Sequence, residues 1–254
     1  MDIWRRCVDG QSGEKGAAMK PNTRERLTSI STATVSLQLL KRGLRNCFIL
    51  GARPLHPNDC HFVAEAYTLR FIPMREKLSK VEVLGDPNYP PRKAVEEIPT
   101  GMALVIDARG ELGAGVIGDI LAARMQERGV AAVVSDGPVR DGVTVAAGSL
   151  PIFCPGSAAP ASLHVHFGAD LQCPIACGGA AVMPGDVLVG DCDGVVVIPA
   201  AMADEVATDG TEQERLERYL KARIEAGHPA IGTYPPNAAT LAAYANWKED
   251  HQAS

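Results

Sequence analysis

GDILAARMQERGVAAVVSDGPVRD, Gly118 to Asp141, is the stretch around which the chain is organised. A glycine and an acid open it and mark a helix start. One amphipathic helix follows and breaks at Gly129. An apolar strand rises next, turns at Asp136-Gly137-Pro138 and ends on Arg140-Asp141. This unit brings a helix N-terminus and an Arg–Asp pair to one edge of a sheet. It reads as a site for a metal-bound organic anion.

The flanking segments set the fold class. Ser31-Thr32 predict N-caps for a helix that runs to Lys41 and Arg42 and stops at Gly43. Cys47 to Leu50 predicts a short strand. His61 to Ile72 predicts a longer one, because it alternates and is rich in Phe, Val, Tyr and Thr. Residues 73–100 form a long connection carrying Pro73, Pro87, Pro90, Pro91 and Pro99, with a helical piece near Ala94 to Glu97. Long connections inside a domain are uncommon and often functional. Met102 to Ile106 predicts a buried strand, ending in the charged turn Asp107 to Glu111. Strands are also predicted at Ile152-Phe153 and Leu163 to Phe167. VLVGDCDGVVVIP, Val187 to Pro199, is a hairpin signal centred on Asp191 to Gly194. Ala201 to about Ala226 is helical in pattern. Strands outnumber helices and few show a clean βαβ repeat. The expected fold is mixed α/β, with sheet and helices layered in one domain.

The predicted organisation is a disordered tail over 1–20, a catalytic α/β domain over 21–226, and a C-terminal extension over 227–254. That extension carries Tyr234, Tyr244 and Trp247 in an extended segment, so it is expected to pack on the domain or on a neighbouring subunit.

Composition excludes several classes. At 46% hydrophobic the chain of 254 residues has material for a real core. A formal charge of −5 with 5% aromatics argues against nucleic acid as a direct partner. No run approaches the roughly 20 apolar residues of a membrane span. The N-terminus lacks the apolar core of a secretory signal. Seven scattered cysteines read as reduced thiols, which points to the cytoplasm.

The candidate chemistry starts at Asp119, which fits the N-cap of the helix after Gly118. First-turn amides lack intrahelical partners and carry the positive end of the dipole, so a carboxylate or phosphate docks there. The small residues Gly113, Ala114, Gly115 and Gly118 are expected to leave room for it. Arg140 can hold a carboxylate bidentately, and Asp141 is a hard oxygen ligand for a divalent cation. His164 and His166 alternate on a predicted strand and would face one side. Asp186, Asp191 and Asp193 read as turn residues. Arg109 follows an apolar strand and is a candidate for the distal end of a substrate.

The combination GDILAARMQERGVAAVVSDGPVRD with PGDVLVGDCDGVVVIP resembles the family that includes the regulator of ribonuclease activity A and the 4-hydroxy-4-methyl-2-oxoglutarate aldolases. VEEIPTGMALVIDARGE, CPIACGGAAVMPGD and the YPP-bearing tail resemble a longer subgroup of it. The resemblance spans roughly residues 25–250. It implies a layered α/β fold of the swivelling β/β/α type, assembled as a homotrimeric ring or a hexameric pair of rings. It implies that Asp141 binds Mg²⁺ or Mn²⁺, largely with waters, and that Arg140 binds a 2-oxo acid and steadies its enolate. It further implies that backbone amides of Gly118, Asp119, Ile120 and Leu121 hold the substrate carboxylate, with Asp119 contacting a water on the metal. A glutamate from an adjacent subunit's C-terminal helix matches Glu214 or Glu217.

The activity implied is a divalent-metal-dependent lyase of the class II aldolase type. It would cleave a 4-hydroxy-2-oxo acid to pyruvate and a second oxo compound, with oxaloacetate decarboxylation as companion. Two alternatives stand beside it. One is a protein-binding inhibitor of a ribonuclease. The other is a decarboxylase or dehydratase acting on a sugar-acid derivative.

Overall fold

From Met19 the chain forms α1 (Pro21–Thr28), α2 (Thr32–Lys41), a two-residue strand β1 (Arg53–Pro54) and the long β2 (Phe62–Pro73). Then follow α3 (Pro90–Glu97), β3 (Ala103–Asp107), α4 (Asp119–Glu127), β4 (Ala132–Ser135), α5 (Gly142–Ala146) and β5 (Ile152–Cys154). The last part holds β6 (His166–Leu171), β7 (Ile175–Cys177), β8 (Ala180–Val182), β9 (Val187–Asp191), β10 (Gly194–Ile198), α6 (Ala203–Glu225) and α7 (Ala238–Asp250). This is a computed structural model, and it describes residues 19–58 and 60–250.

An eight-stranded sheet runs β1-β5-β4-β3-β2-β9-β10, with β6 also on β2. β2, β3, β4 and β5 are parallel neighbours in turn. Twelve-residue β2 serves two antiparallel partners along its length: β9 pairs with Phe62–Glu65 and β6 with Leu69–Pro73. The sheet nearly closes, because Arg53 Nη1 donates to Asp193 O at 2.6 Å and so ties β1 to the β9–β10 turn.

Strand alternation sorts the core into layers, as period-2 geometry requires. Leu104 and Ile106, Val133, Ile152 and Cys154 face α3, α4 and α5, meeting Ala94, Val95, Ala122 and Met125. Their neighbours Ala103, Val105, Ala132, Val134 and Phe153 point inward to Leu188, Val195 and Val197. The outer faces of β9 and β10, through Val187, Val189, Val196 and Ile198, bury Leu27, Val35, Leu39 and Val206 of α1, α2 and α6. The layered α/β class predicted from sequence is the one observed.

Several local expectations differ. Consecutive parallel crossovers do exist. They escape a pattern search because β4 and β5 have four and three residues and α5 only five. Cys47 to Leu50 is not a strand, since only Phe48 makes an isolated bridge, to Val196. Ser162–His164 is a 3-10 turn, and the strand starts at His166. Residues 238–250 are helical rather than extended. Tyr244 and Trp247 of α7 pack on Tyr219 of α6, with ring centroids 5.4 Å from it in each case. Residues 1–18 of the predicted tail lie outside the described residues. Met19, counted with that tail, is tied down, its amide donating to Glu65 Oε1 at 2.9 Å.

Elsewhere the local signals hold. Ser31 caps α2 by accepting from Thr34 N, and Gly43 follows it at φ +83°. β9 and β10 form the expected hairpin. No disulfide joins the described cysteines. Among the described residues no helix is long and apolar enough to cross a membrane.

Candidate functional site

Two loops leave the C-terminal ends of β3 and β4, where open parallel sheets bind ligands. They are laced by backbone hydrogen bonds. Val116 N donates to Pro138 O at 2.9 Å, and Arg140 N to Ile117 O at 2.7 Å. A third loop joins from β5, with Val139 N donating to Gly156 O and Gly115 N to Pro160 O, each at 3.0 Å. Glycine is needed here for chain-to-chain contact. A Cβ on Gly115 would lie 2.5 Å from Arg140 N. The Cβ side of Gly115 is therefore filled by the neighbouring loop, while Gly115 still lines the cleft described below.

Asp136 fastens this arrangement. Its buried carboxylate accepts from Ala108 N at 2.6 Å, Gly110 N at 3.0 Å and Gly178 N at 3.2 Å. Burial pushes the Asp136 carboxyl up, and those amides oppose the shift only in part. The sequence presents Asp136 as an ordinary turn residue. Nothing local marks it as the knot between β3, β4 and the β7–β8 turn.

Gly118, not Asp119, is the N-cap of α4, and Asp119 is its first residue. Asp119 Oδ1 accepts from the amide of Ile120 at 2.8 Å, so the acid occupies one of the helix-start donors itself. The amides of Asp119 and Leu121 make no hydrogen bond among the described residues.

Arg140 and Asp141 flank this helix start. Arg140 Nε donates to Ala159 O at 3.2 Å. Its guanidinium makes no ion pair among the described residues, not even with adjacent Asp141. Asp141 sits in the left-handed region at φ 55°, ψ 37°, and its side chain caps nothing. Its Oδ2 lies against Gly118, 2.8 Å from where a Cβ there would be. Gly118, Asp119, Ile120, Leu121, Arg140 and Asp141 thus line one cleft of roughly 190 Å³. Leu84 and Arg92 line it too. Arg92 comes from the proline-rich connection and was not singled out from sequence. The available signal was Pro90-Pro91, which starts a helix directly before it.

The donor set suits a hard divalent cation that keeps most of its shell for water and substrate. Among the described residues no cluster of three or more His, Cys, Asp or Glu could enclose a metal. Asp141 instead offers a carboxylate that accepts from no donor among the described residues, beside a helix start. Mg²⁺ commonly takes only one or two protein carboxylates.

Other sequence candidates go elsewhere. Arg109 does not line the cleft; its Nη2 donates to Val165 O at 2.9 Å and lies 3.2 Å from His166 Nδ1. His164 is exposed and His166 fully buried, so they share no face. Asp186 accepts from Met183 N, and Asp191 from Asp193 N and Thr32 N, all within the fold. Glu214 lies at the start of α2 in its own chain. Its Oε1 accepts from Ser31 N, Ser31 Oγ and Thr34 Oγ1. Glu217 accepts from Gln213 Nε2.

A layered α/β domain with an unpaired Arg–Asp step at the C-terminal edge of its parallel strands is the class that fold and site define. The chain belongs to the RraA-like family, described as Aldolase/RraA, whose model matches residues 32–197. It is 34% identical over 154 residues to a protein of Halalkalibacterium halodurans named "Putative 4-hydroxy-4-methyl-2-oxoglutarate aldolase", covering 61% of this chain and 73% of that one. Streptomyces coelicolor RraAS2 is described as an unusual member of the RNase ES inhibitor RraA protein family. Its crystal structure matches 80% of this chain and 98% of its own, at TM-score 0.73 and 31% identity. An uncharacterized Pseudomonas syringae protein shares the fold at TM-score 0.77 and 22% identity, over 89% of this chain and 99% of that one.

Proposed function

We propose that the chain is a divalent-metal-dependent carbon–carbon lyase that cleaves a 4-hydroxy-2-oxo acid to pyruvate and a second oxo compound, and that also decarboxylates oxaloacetate. The observation that carries this reading is that Arg140 and Asp141 are neighbours yet unpaired, in a cleft that also holds open helix-start amides. The name of the Halalkalibacterium relative supports the same class of reaction.

In this proposal the amides of Asp119 and Leu121 take the substrate carboxylate. Asp141 would hold Mg²⁺ or Mn²⁺, which would supply Lewis-acid polarisation of the 2-oxo group. Arg140 places positive charge where the enolate oxygen develops, which is where preorganised charge lowers a barrier most. A carboxylate base takes the proton of the 4-hydroxyl, and the C3–C4 electron pair passes into the enolate. The second fragment leaves as an oxo compound, and a proton returned to C3 gives pyruvate. Loss of CO₂ from oxaloacetate yields the same enolate.

Asp119 and Glu214 are the proposed proton carriers, Glu214 reaching the cleft of an adjacent subunit in a homotrimer or hexamer. Its geometry supports that use. All three hydrogen bonds fall on Oε1, so the carboxylate is fixed while Oε2 has no partner among the described residues. Ile120 and Val143 stand beside the site 78% and 90% exposed, an apolar surface suited to a neighbouring copy.

The test is pyruvate release from oxaloacetate and 4-hydroxy-2-oxo acids, with Mg²⁺ or with EDTA. Metal-dependent pyruvate is the expected result. If no substrate yields pyruvate and Asp141→Asn changes nothing, the lyase reading fails. The likeness to RraAS2 favours a second reading, a protein-binding inhibitor of a ribonuclease. Inhibition of a ribonuclease by both the native chain and Asp141→Asn would support it.

A further inference from the structure

The cleft has a second arginine whose setting repeats that of Arg140. Arg92 Nε donates to Leu84 O at 2.7 Å, as Arg140 Nε does to Ala159 O. In each case the stem nitrogen is anchored on a backbone carbonyl. Neither guanidinium makes an ion pair among the described residues, and Arg92 makes no other hydrogen bond there. Arg92 is half-buried and rises from the third position of α3. An anchored, unneutralised fork of this kind is the group that binds a carboxylate with two parallel hydrogen bonds.

The base of Arg92 is rigid. Pro90 and Pro91 start α3, and Pro91 is pressed onto β6 so closely that a Cβ on Gly168 would lie 2.4 Å from its Cδ. The buried Tyr89 hydroxyl accepts from Gly168 N at 3.0 Å. The helix start is therefore locked to the sheet, and little ordering is left to be lost when a ligand engages Arg92. Beyond Arg92 the cleft opens into a second hollow of about 630 Å³. It shares Leu84, Arg92 and Leu121 with the first and is bounded by Gly85 to Asn88 and by Lys93, Glu96 and Glu97, of which Glu96 is paired with Arg124 and Glu97 with Lys93.

We infer that Arg92 is a specificity-determining residue that binds a carboxylate on the far half of the substrate, the half released as the second oxo compound. The inference rests on the lyase reading for its orientation: Asp141, Arg140 and the helix-start amides take the pyruvyl half, which leaves Arg92 facing whatever extends past C4. A 2-oxo acid with a second, distal carboxylate is what the name of the Halalkalibacterium relative denotes; the assignment of that carboxylate to Arg92 is the inference for this chain.

Binding can be measured without turnover, using two non-cleavable probes of equal chain length. 2-Oxoglutarate ends in a carboxylate and 2-oxopentanoate in a methyl group. Calorimetry with Mg²⁺ present should show the native chain binding 2-oxoglutarate about 10–100-fold more tightly, the range for a hydrogen-bonded charged group. Arg92→Gln should erase that preference and leave 2-oxopentanoate binding unchanged, with Arg92→Lys intermediate. No preference in the native chain, or equal weakening of both probes by Arg92→Gln, would overturn the inference. Failure of the lyase reading looks different: the preference and its loss in Arg92→Gln persist, while no 4-hydroxy-2-oxo acid yields pyruvate.

Discussion

Gly118 and Asp141 meet so closely that a Cβ on Gly118 would lie 2.8 Å from Asp141 Oδ2. The helix start and the proposed metal ligand are therefore one packed unit, although they belong to different loops. Gly118 has φ −122° and ψ −175°, an extended conformation open to any residue. Gly118→Ala should thus leave the backbone unstrained and displace only the Asp141 carboxylate. A loss of about 10–100-fold in Mg²⁺ or Mn²⁺ affinity is expected, the usual effect of disturbing a group that orients a metal ligand. Metal titration of activity checks it, with an unchanged melting temperature showing that the fold is intact.

Asp141 itself is best tested with asparagine. Its φ of 55° is a left-handed conformation that Asn tolerates, whereas alanine there adds about 1–2 kcal/mol of strain. Asp141→Asn keeps the shape and removes the charge. Metal-dependent pyruvate release should fall by about a hundredfold or more, since a bound cation supplies several kcal/mol of charge stabilisation. Thermal stability should stay close to that of the native chain.

Glu214 has two separable duties. Burial pushes its carboxyl up, but hydrogen bonds from Thr34 and Ser31 outweigh this and hold it below the ordinary value of 4.5. A depressed carboxylate contributes stability above its unfolded pKa. That contribution is lost as pH falls below 4.5 and through the folded value. Glu214→Gln keeps an oxygen for Ser31 and Thr34 and replaces the proton-accepting Oε2. Glu214→Ala removes both. Gln should therefore lower kcat with little change in melting temperature, while Ala should also cost about 1–2 kcal/mol, the scale of a lost helix cap. Equal kcat in native and Gln forms would limit Glu214 to the cap of α2.

What could be read from sequence was whatever local chemistry decides. Ser31 and Gly43 bound α2 because capping needs only neighbouring residues, and Asp191 to Gly194 turns a hairpin for the same reason. Arg140 and Asp141 adjoin in sequence, so it was visible that they stand at the same edge of the sheet, where both line one cleft. Arg92 was hidden because its place depends on Pro91 meeting Gly168 across the fold. Asp136 was hidden because its amide partners lie in loops after β3 and β7. The histidines were misread for a smaller reason: β6 begins at His166, so the alternation that pairs it with His164 does not exist.

His166 yields a pH-dependent prediction from that same correction. Its ring is fully buried against Phe71, with centroids 5.1 Å apart. Arg109 Nη2 can only donate, so Nδ1 accepts and the proton belongs on Nε2, which has no partner. Burial foremost, then the positive charge of Arg109, lowers the imidazole from 6.5 to about 4, against a smaller opposing pull from Glu111. The folded chain thus holds His166 neutral where the unfolded chain would protonate it. The resulting stability is complete above pH 6.5 and is lost as pH falls from 6.5 to about 4. By pH 5 this one group should cost about 2 kcal/mol, at 1.36 kcal/mol for each pH unit. His166→Phe keeps a ring on Phe71 and cannot titrate. Denaturant unfolding at pH 7.5 and pH 5 should show a smaller loss of stability in the Phe variant by that amount. An equal loss in both forms would mean that the His166 ring is protonated within the fold.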